Sequence, residues 1–189
     1  SAGAIGYCGN RGEEWLTESA QKGSDFLASS CVAWENAVQQ LKRFPIRLTQ
    51  FRIGIVLSTL GGAYEKMYLP YKMGCAAYFG DGQMWYSWIH IDDLIGMMVH
   101  AIENPSIHGI YNAVAPHPVT NKELILAMKK EGGKPAIVCS VPAFVLKLVM
   151  GEMSSVILSS AKVSAEKITA TDFKFSYPSI NLAMKALQS

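Results

Sequence analysis

Residues 46–57 read Ile46-Arg47-Leu48-Thr49-Gln50-Phe51-Arg52-Ile53-Gly54-Ile55-Val56-Leu57, and this run decides the fold class. Its branched and aromatic residues (Ile46, Leu48, Phe51, Ile53, Ile55, Val56) predict a largely buried strand that ends before Gly61-Gly62. Upstream, Ser24 and Asp25 are good N-caps for an amphipathic helix carrying Phe26, Leu27, Cys31, Trp34, Val38 and Leu41, which Pro45 closes. Downstream, a short helix is expected near Tyr64 to Met73. Gly80-Asp81-Gly82 then reads as a hairpin-type turn between two extended runs. Asp92 is the expected cap of a helix through Leu94, Met98 and Ile102, and Gly109 to Val114 reads as another strand. Helices and strands therefore alternate, as they do in an α/β sheet covered by helices.

From about residue 115 the pattern turns helical. Thr120 and Glu123 form a capping box, Ala136 to Val141 is a strand candidate, Pro142 opens an apolar helix that Gly151 interrupts, and Ser179 precedes a last helix. The expected organisation is a sheet domain over residues 1–114, with inserted lobe segments, and a small α-rich substrate lobe over residues 115–189.

Composition narrows the partners. Half of the 189 residues are hydrophobic and 17% are charged, enough to bury a core. A net charge of +2, with both signs dispersed, offers no footprint for nucleic acid or an anionic membrane. The most apolar stretch, Val141 to Met150, contains Lys147 and is too short to span a bilayer. The four cysteines (Cys8, Cys31, Cys75, Cys139) are widely spaced, form no zinc-type pairs and read as free thiols in a reducing compartment, with the cytoplasm as the expected location. No metal site is expected.

Gly3, Gly6 and Gly9 spell a literal G-x-x-G-x-x-G. A phosphate loop needs a buried strand before it and an apolar helix after it, whereas Asn10 to Glu14 is polar. The stretch reads as a strand end followed by a glycine-rich loop.

An ordered series of phrases carries a family resemblance. They are Ala4-Ile5-Gly6-Tyr7-Cys8-Gly9, Cys31-Val32-Ala33-Trp34-Glu35, Arg52-Ile53-Gly54-Ile55-Val56-Leu57 and Gly80-Asp81-Gly82-Gln83. Trp88-Ile89-His90-Ile91-Asp92-Asp93-Leu94, Tyr111-Asn112-Ala113-Val114-Ala115-Pro116 and Gly151-Glu152-Met153 follow. Together they resemble the atypical extended short-chain dehydrogenase/reductases of the NAD-dependent epimerase/dehydratase type. The resemblance implies the C-terminal part of a Rossmann-type doubly wound sheet plus a substrate lobe. It also implies that the nucleotide-binding strands belong to a segment ahead of Ser1, which would grip the pyrophosphate of NADP or NAD.

Family members use a Tyr, a Lys four residues later, and a Ser or Thr after the fifth strand; a phenol needs the nearby cation to act as a base near neutral pH. Aligning Glu35 puts Leu27 and Cys31 at the Tyr and Lys positions and Gly3 at the hydroxyl position, so the catalytic residues are unknown. Ile53, Gly54 and Ile55 match the segment that meets the nicotinamide end of the cofactor. Lys66, Trp85, Tyr86 and Trp88 are expected to line the pocket of a small, nucleotide-like or phosphorylated substrate. Two alternatives stay open: a non-catalytic dinucleotide sensor and a protein-interaction module. Either a dimer or association with the preceding segment is expected at the unpaired sheet edge.

Overall fold

The computed structural model describes residues 1–188; Ser189, the last residue of the expected lobe, lies outside the described residues. Strand β1 (Ala2–Ala4), a 3-10 turn (Ile5–Cys8) and β2 (Trp15–Leu16) precede helix α1 (Phe26–Gln39). Asp25 caps α1 by accepting a hydrogen bond from the Ala28 N–H. The strand expected over residues 46–57 is instead two strands, β3 (Thr49–Ile53) and β4 (Ile55–Leu57), with residues 46–48 outside them and Ile46 exposed, followed by α2 (Ala63–Lys72). Next come β5 (Cys75–Phe79), β6 (Trp85–Tyr86), β7 (Trp88–His90), α3 (Ile91–Glu103) and β8 (Gly109–Ala113). The remainder holds β9 (Val119–Thr120), α4 (Asn121–Gly132), β10 (Ile137–Val141), α5 (Ala143–Met150) and α6 (Met153–Ile157). It ends with β11 (Lys162–Val163), α7 (Glu166–Thr169) and α8 (Ile180–Gln188).

The central sheet is parallel, in the order β1-β3-β8, with Ala4, Ile53 and Ala113 in register at the C-terminal ends. Gly54 is where the chain changes partners. Its N–H donates to the Ala113 carbonyl, whereas the Ile55 N–H donates to Ser87 and β4 continues parallel to β7. A Cβ at Gly54 would stand 2.5 Å from the Ser87 carbonyl oxygen and 2.8 Å from Val114, so only glycine lets the strands approach this closely.

Two cores result. The first packs Phe51, Ile89, Met97, Tyr111 and Ala113 with Val163, Ile168 and Phe173 from the C-terminal region. The second packs Leu57, Tyr64, Tyr71, Tyr86 and Trp88 with Leu124, Met128 and Met184. Segments on both sides of residue 114 therefore contribute to both cores.

Several sequence expectations are corrected. The Gly80–Gly82 turn does not close a hairpin: β5 pairs parallel with β10, and β6 pairs antiparallel with β9. The N-cap of α3 is His90 rather than Asp92, because the His90 Nδ1 accepts from the Asp92 N–H at 3.2 Å. Cys75 and Cys139 are not free thiols but a disulfide, with Cα atoms 6.5 Å apart. The β5–β10 register sets Cys139 opposite Ala77, two residues along from Cys75 and on the same face, so strands distant in sequence bring the sulfurs together. The Thr120–Glu123 capping box forms as read.

Candidate functional site at the sheet rim

In parallel sheets ligands gather beyond the carboxyl ends of the strands. At that rim Ile5, Ile53, Gly54 and Ile55 are half-buried, a continuous apolar border beside the 3-10 turn. The turn lies against α1: a Cβ at Gly6 would meet Leu27 Cδ2 at 2.7 Å and Cys31 Sγ at 3.6 Å. The two positions aligned with a catalytic Tyr and Lys thus point at the turn, with an alkyl group and a thiol. Burial, then the charge of Glu35, pushes the Cys31 thiol upward, the wrong direction for a nucleophile or base near neutrality.

One helical turn further, Glu35 receives a two-pronged contact from Arg52 of β3, Nε to Oε1 at 2.7 Å and Nη2 to Oε2 at 3.0 Å. Both side chains are buried, and the guanidinium lies 3.6 Å from the Tyr7 ring centre. Arg52 also donates to the Glu18 carbonyl, while the Glu18 carboxylate accepts from the Asn112 N–H and the Asn112 side chain donates to the Ser164 carbonyl. The network braces α1, β3, β8 and the chain before α7. Every charge in it is committed, so its role is architectural. Gln50 and Arg52 share one face of β3, and it is the tertiary fold that pairs that face with Glu35.

From the rim a single hydroxyl leads to an aromatic wall. Ser87, whose carbonyl abuts Gly54, donates through Oγ to Ala161 and accepts from the Val163 N–H. Between those residues Lys162 projects its ammonium 4.1 Å from the Trp85 ring centre and 4.7 Å from that of Trp15, itself 53% exposed. Lys162 enters none of the ion pairs among the described residues. Trp85 is thus half-buried beside the exposed Trp15, and Lys162 and Trp15 are residues the sequence reading missed. Their β2–β11 pairing spans most of the chain, and each strand has only two residues, too few for a periodic signal.

The other expected pocket residues fall elsewhere. Trp88 is 0% exposed, and its indole N–H donates to the His117 carbonyl. Tyr86 is buried with its hydroxyl on the Ile157 carbonyl, and burial pushes that phenol well above its usual range. Both are core residues offering no surface to a substrate. Lys66 stands exposed on α2, in none of the cation–aromatic contacts of the wall. His90 is buried as a cap, and Asp93 accepts from the Ser176 and Tyr177 N–H groups, tying the C-terminal region to α3. Among the described residues no three His, Cys, Asp or Glu side chains gather as a metal site, and no helix is long and apolar enough to cross a membrane.

A parallel sheet with an apolar rim, a glycine at the change of strand partner and an adjoining lobe defines the Rossmann-like fold of the epimerases. The comparisons are specific. Over 187 residues the chain is 34% identical to an epimerase family protein, the chloroplastic SDR39U1 homolog of Arabidopsis thaliana, covering 99% of this chain and 53% of that one. It superposes on human epimerase family protein SDR39U1 (isoform 2), solved with NADPH, with a TM-score of 0.88 and 30% identity, covering 99% of this chain and 63% of that one. A nucleoside-diphosphate sugar epimerase of Corynebacterium glutamicum gives 0.79 and 31%, covering 100% and 36%. Residues 141–187 match a domain of unknown function, DUF1731. The chain spans about half the length of the curated relatives it matches. Over nearly its whole length the chain is thus similar to epimerase family proteins.

Proposed function

We propose that this chain is the substrate-side portion of an NAD(P)-binding, epimerase- or oxidoreductase-like protein acting on a nucleotide-sugar-like or other small substrate. The observation carrying this reading is the half-buried border of Ile53, Gly54 and Ile55 at the strand ends, joined through Ser87 to the Lys162 wall. The human protein solved with NADPH supports the cofactor. A bound nicotinamide supplies hydride exchange. Ile5, Ile53 and Ile55 would offer apolar contact to its reacting end, while the pyrophosphate requires a phosphate loop, which Gly3, Gly6 and Gly9 do not form because a 3-10 turn and a polar loop follow β1. Lys162 would hold an anionic group of the substrate while Trp85 packs on its ring. The reading places the protein in the cytoplasm, with the Cys75–Cys139 bond closed or open according to the local redox poise.

A second reading, a dinucleotide sensor without turnover, is favoured by one observation: Leu27 and Cys31 fill the Tyr and Lys positions and pack on Gly6. Fluorescence titration of NADPH and NADH into the full-length protein tests both readings. Saturable binding with hydride exchange on a nucleotide sugar or small carbonyl is the expected outcome. Binding without turnover would leave the sensor, and binding of neither dinucleotide would sink both.

A further inference from the structure

The opposite end of the sheet carries a second concavity. It lies where β3 and β8 begin, at Thr49 and Gly109, roughly 15 Å from the rim by the rise of a five-residue strand. Its volume is about 870 Å³, and its walls come from the 17–19 loop, the end of α1, the chain entering β3, the turn before β8, and α7. That is room for a nucleotide-sized molecule.

The walls are basic without being neutralised. Lys42, Arg47 and Lys167 line the groove, and none enters an ion pair among the described residues. The Arg47 guanidinium is fixed by the carbonyls of Ala101, Ile102, Asn104 and Ile107, so its position is set before any ligand arrives. Lys167 is held by the Ile110 carbonyl at 2.6 Å and by the Tyr111 ring at 4.4 Å, which leaves two of its three ammonium protons for a ligand. Among the described residues Glu18 is the one acidic side chain on the wall; one of its oxygens accepts from the Asn112 N–H, and against the three cations its charge leaves the wall net positive. Ile46 and Leu48 add apolar surface beside the cations. Three held or free cations, one carboxylate and an apolar flank suit a phosphorylated organic molecule better than a neutral ligand.

We propose that this groove binds a small organic phosphate, at a site separate from the rim. ADP is the probe, with inorganic pyrophosphate beside it, titrated calorimetrically into the full-length protein at low and physiological salt, with and without saturating NADPH. The expected result is ADP binding that NADPH does not compete away, that is tighter than pyrophosphate binding and that weakens as salt rises. Lys42→Gln, on an exposed side chain with no ion pair among the described residues, should weaken it severalfold without changing the thermal midpoint, and Lys167→Gln should weaken it about tenfold, the size of one charge-assisted contact. Trp85→Ala at the rim should leave it unchanged. Competition by NADPH, equal affinity in the Lys42→Gln variant, or pyrophosphate binding as tightly as ADP would each overturn the proposal.

Discussion

The two cores of this molecule are stabilised in different ways. The sheet core is aliphatic at its centre and encloses a fully paired charge, Arg52 with Glu35. The lobe core is built on tyrosines, with Tyr64, Tyr68 and Tyr71 in successive ring contacts along α2, and it is closed by the Cys75–Cys139 bond. In the first, the ion-pair network is fully partnered, although the buried Gln50 Nε2 beside it on β3 lacks a partner among the described residues. In the second, the Tyr64 hydroxyl is buried and has none among the described residues. The sheet side is thus specified by electrostatics that fail if one partner is removed, and the lobe side by packing and a covalent closure that condition the response to redox state.

The sharpest way to break this contrast is Glu35→Ala. It strands the Arg52 guanidinium in a buried site and should cost about 3–5 kcal/mol, read as a fall in the urea midpoint. Replacing both partners, Glu35→Leu with Arg52→Met, should recover most of that loss, because the penalty lies in the uncompensated charge. A double variant no more stable than Glu35→Ala would mean that the pair itself, and not the avoidance of an orphan charge, holds the sheet.

Reduction of the disulfide should affect the other core. The bond closes a separation of 64 residues, for which chain-entropy reasoning gives up to about 4 kcal/mol. Adding reductant should therefore lower the unfolding midpoint of the wild type and leave that of Cys75→Ser unmoved. Equal sensitivity in both proteins would locate the redox effect elsewhere, at Cys8 or Cys31.

Much of this was legible in the sequence, and the illegible part has a physical pattern. Features set by neighbours in the chain could be read: the Asp25 cap, the Thr120–Glu123 box, the Pro142 start of α5, and the exclusion of the Gly3, Gly6 and Gly9 loop. Features set by partners far along the chain could not. Strand β5 finds β10 rather than its sequence neighbour β6, and that one pairing overturned both the hairpin and the free cysteines. The candidate site shows the same division: Ile53, Gly54 and Ile55 lie where β3 passes into β4, within the extended run already recognised, whereas Lys162 reaches Trp85 only through the two-residue β2–β11 ladder. Aromatic composition alone could not separate the half-buried Trp85 from Trp88 in the core.

The unpartnered hydroxyl offers a finer test of the lobe. Tyr64 is 2% exposed, and burial, with Tyr68 and Tyr71 beside it, pushes its phenol far above the usual range. Tyr64→Phe removes the unsatisfied group and keeps the ring stack, so it should be neutral or stabilise the protein by up to about 1 kcal/mol. A loss of stability would show that the hydroxyl has a partner, such as an ordered water.

The smallest effect concerns the junction of the two regions, where His90 ends β7 and caps α3. Burial pulls its imidazole below the ordinary value of 6.5, and Asp92 and Asp93 only partly offset this. The unfolded chain therefore binds the proton more readily than the folded one. The contribution of His90 to stability is complete above about pH 6.5 and is lost as pH falls from there through the folded-state value. Asn at position 90 keeps an N-cap acceptor without a titrating ring. Between pH 7.5 and 5 the wild type should lose more stability than His90→Asn in urea unfolding. Parallel curves for the two proteins would mean that His90 holds its cap in either protonation state.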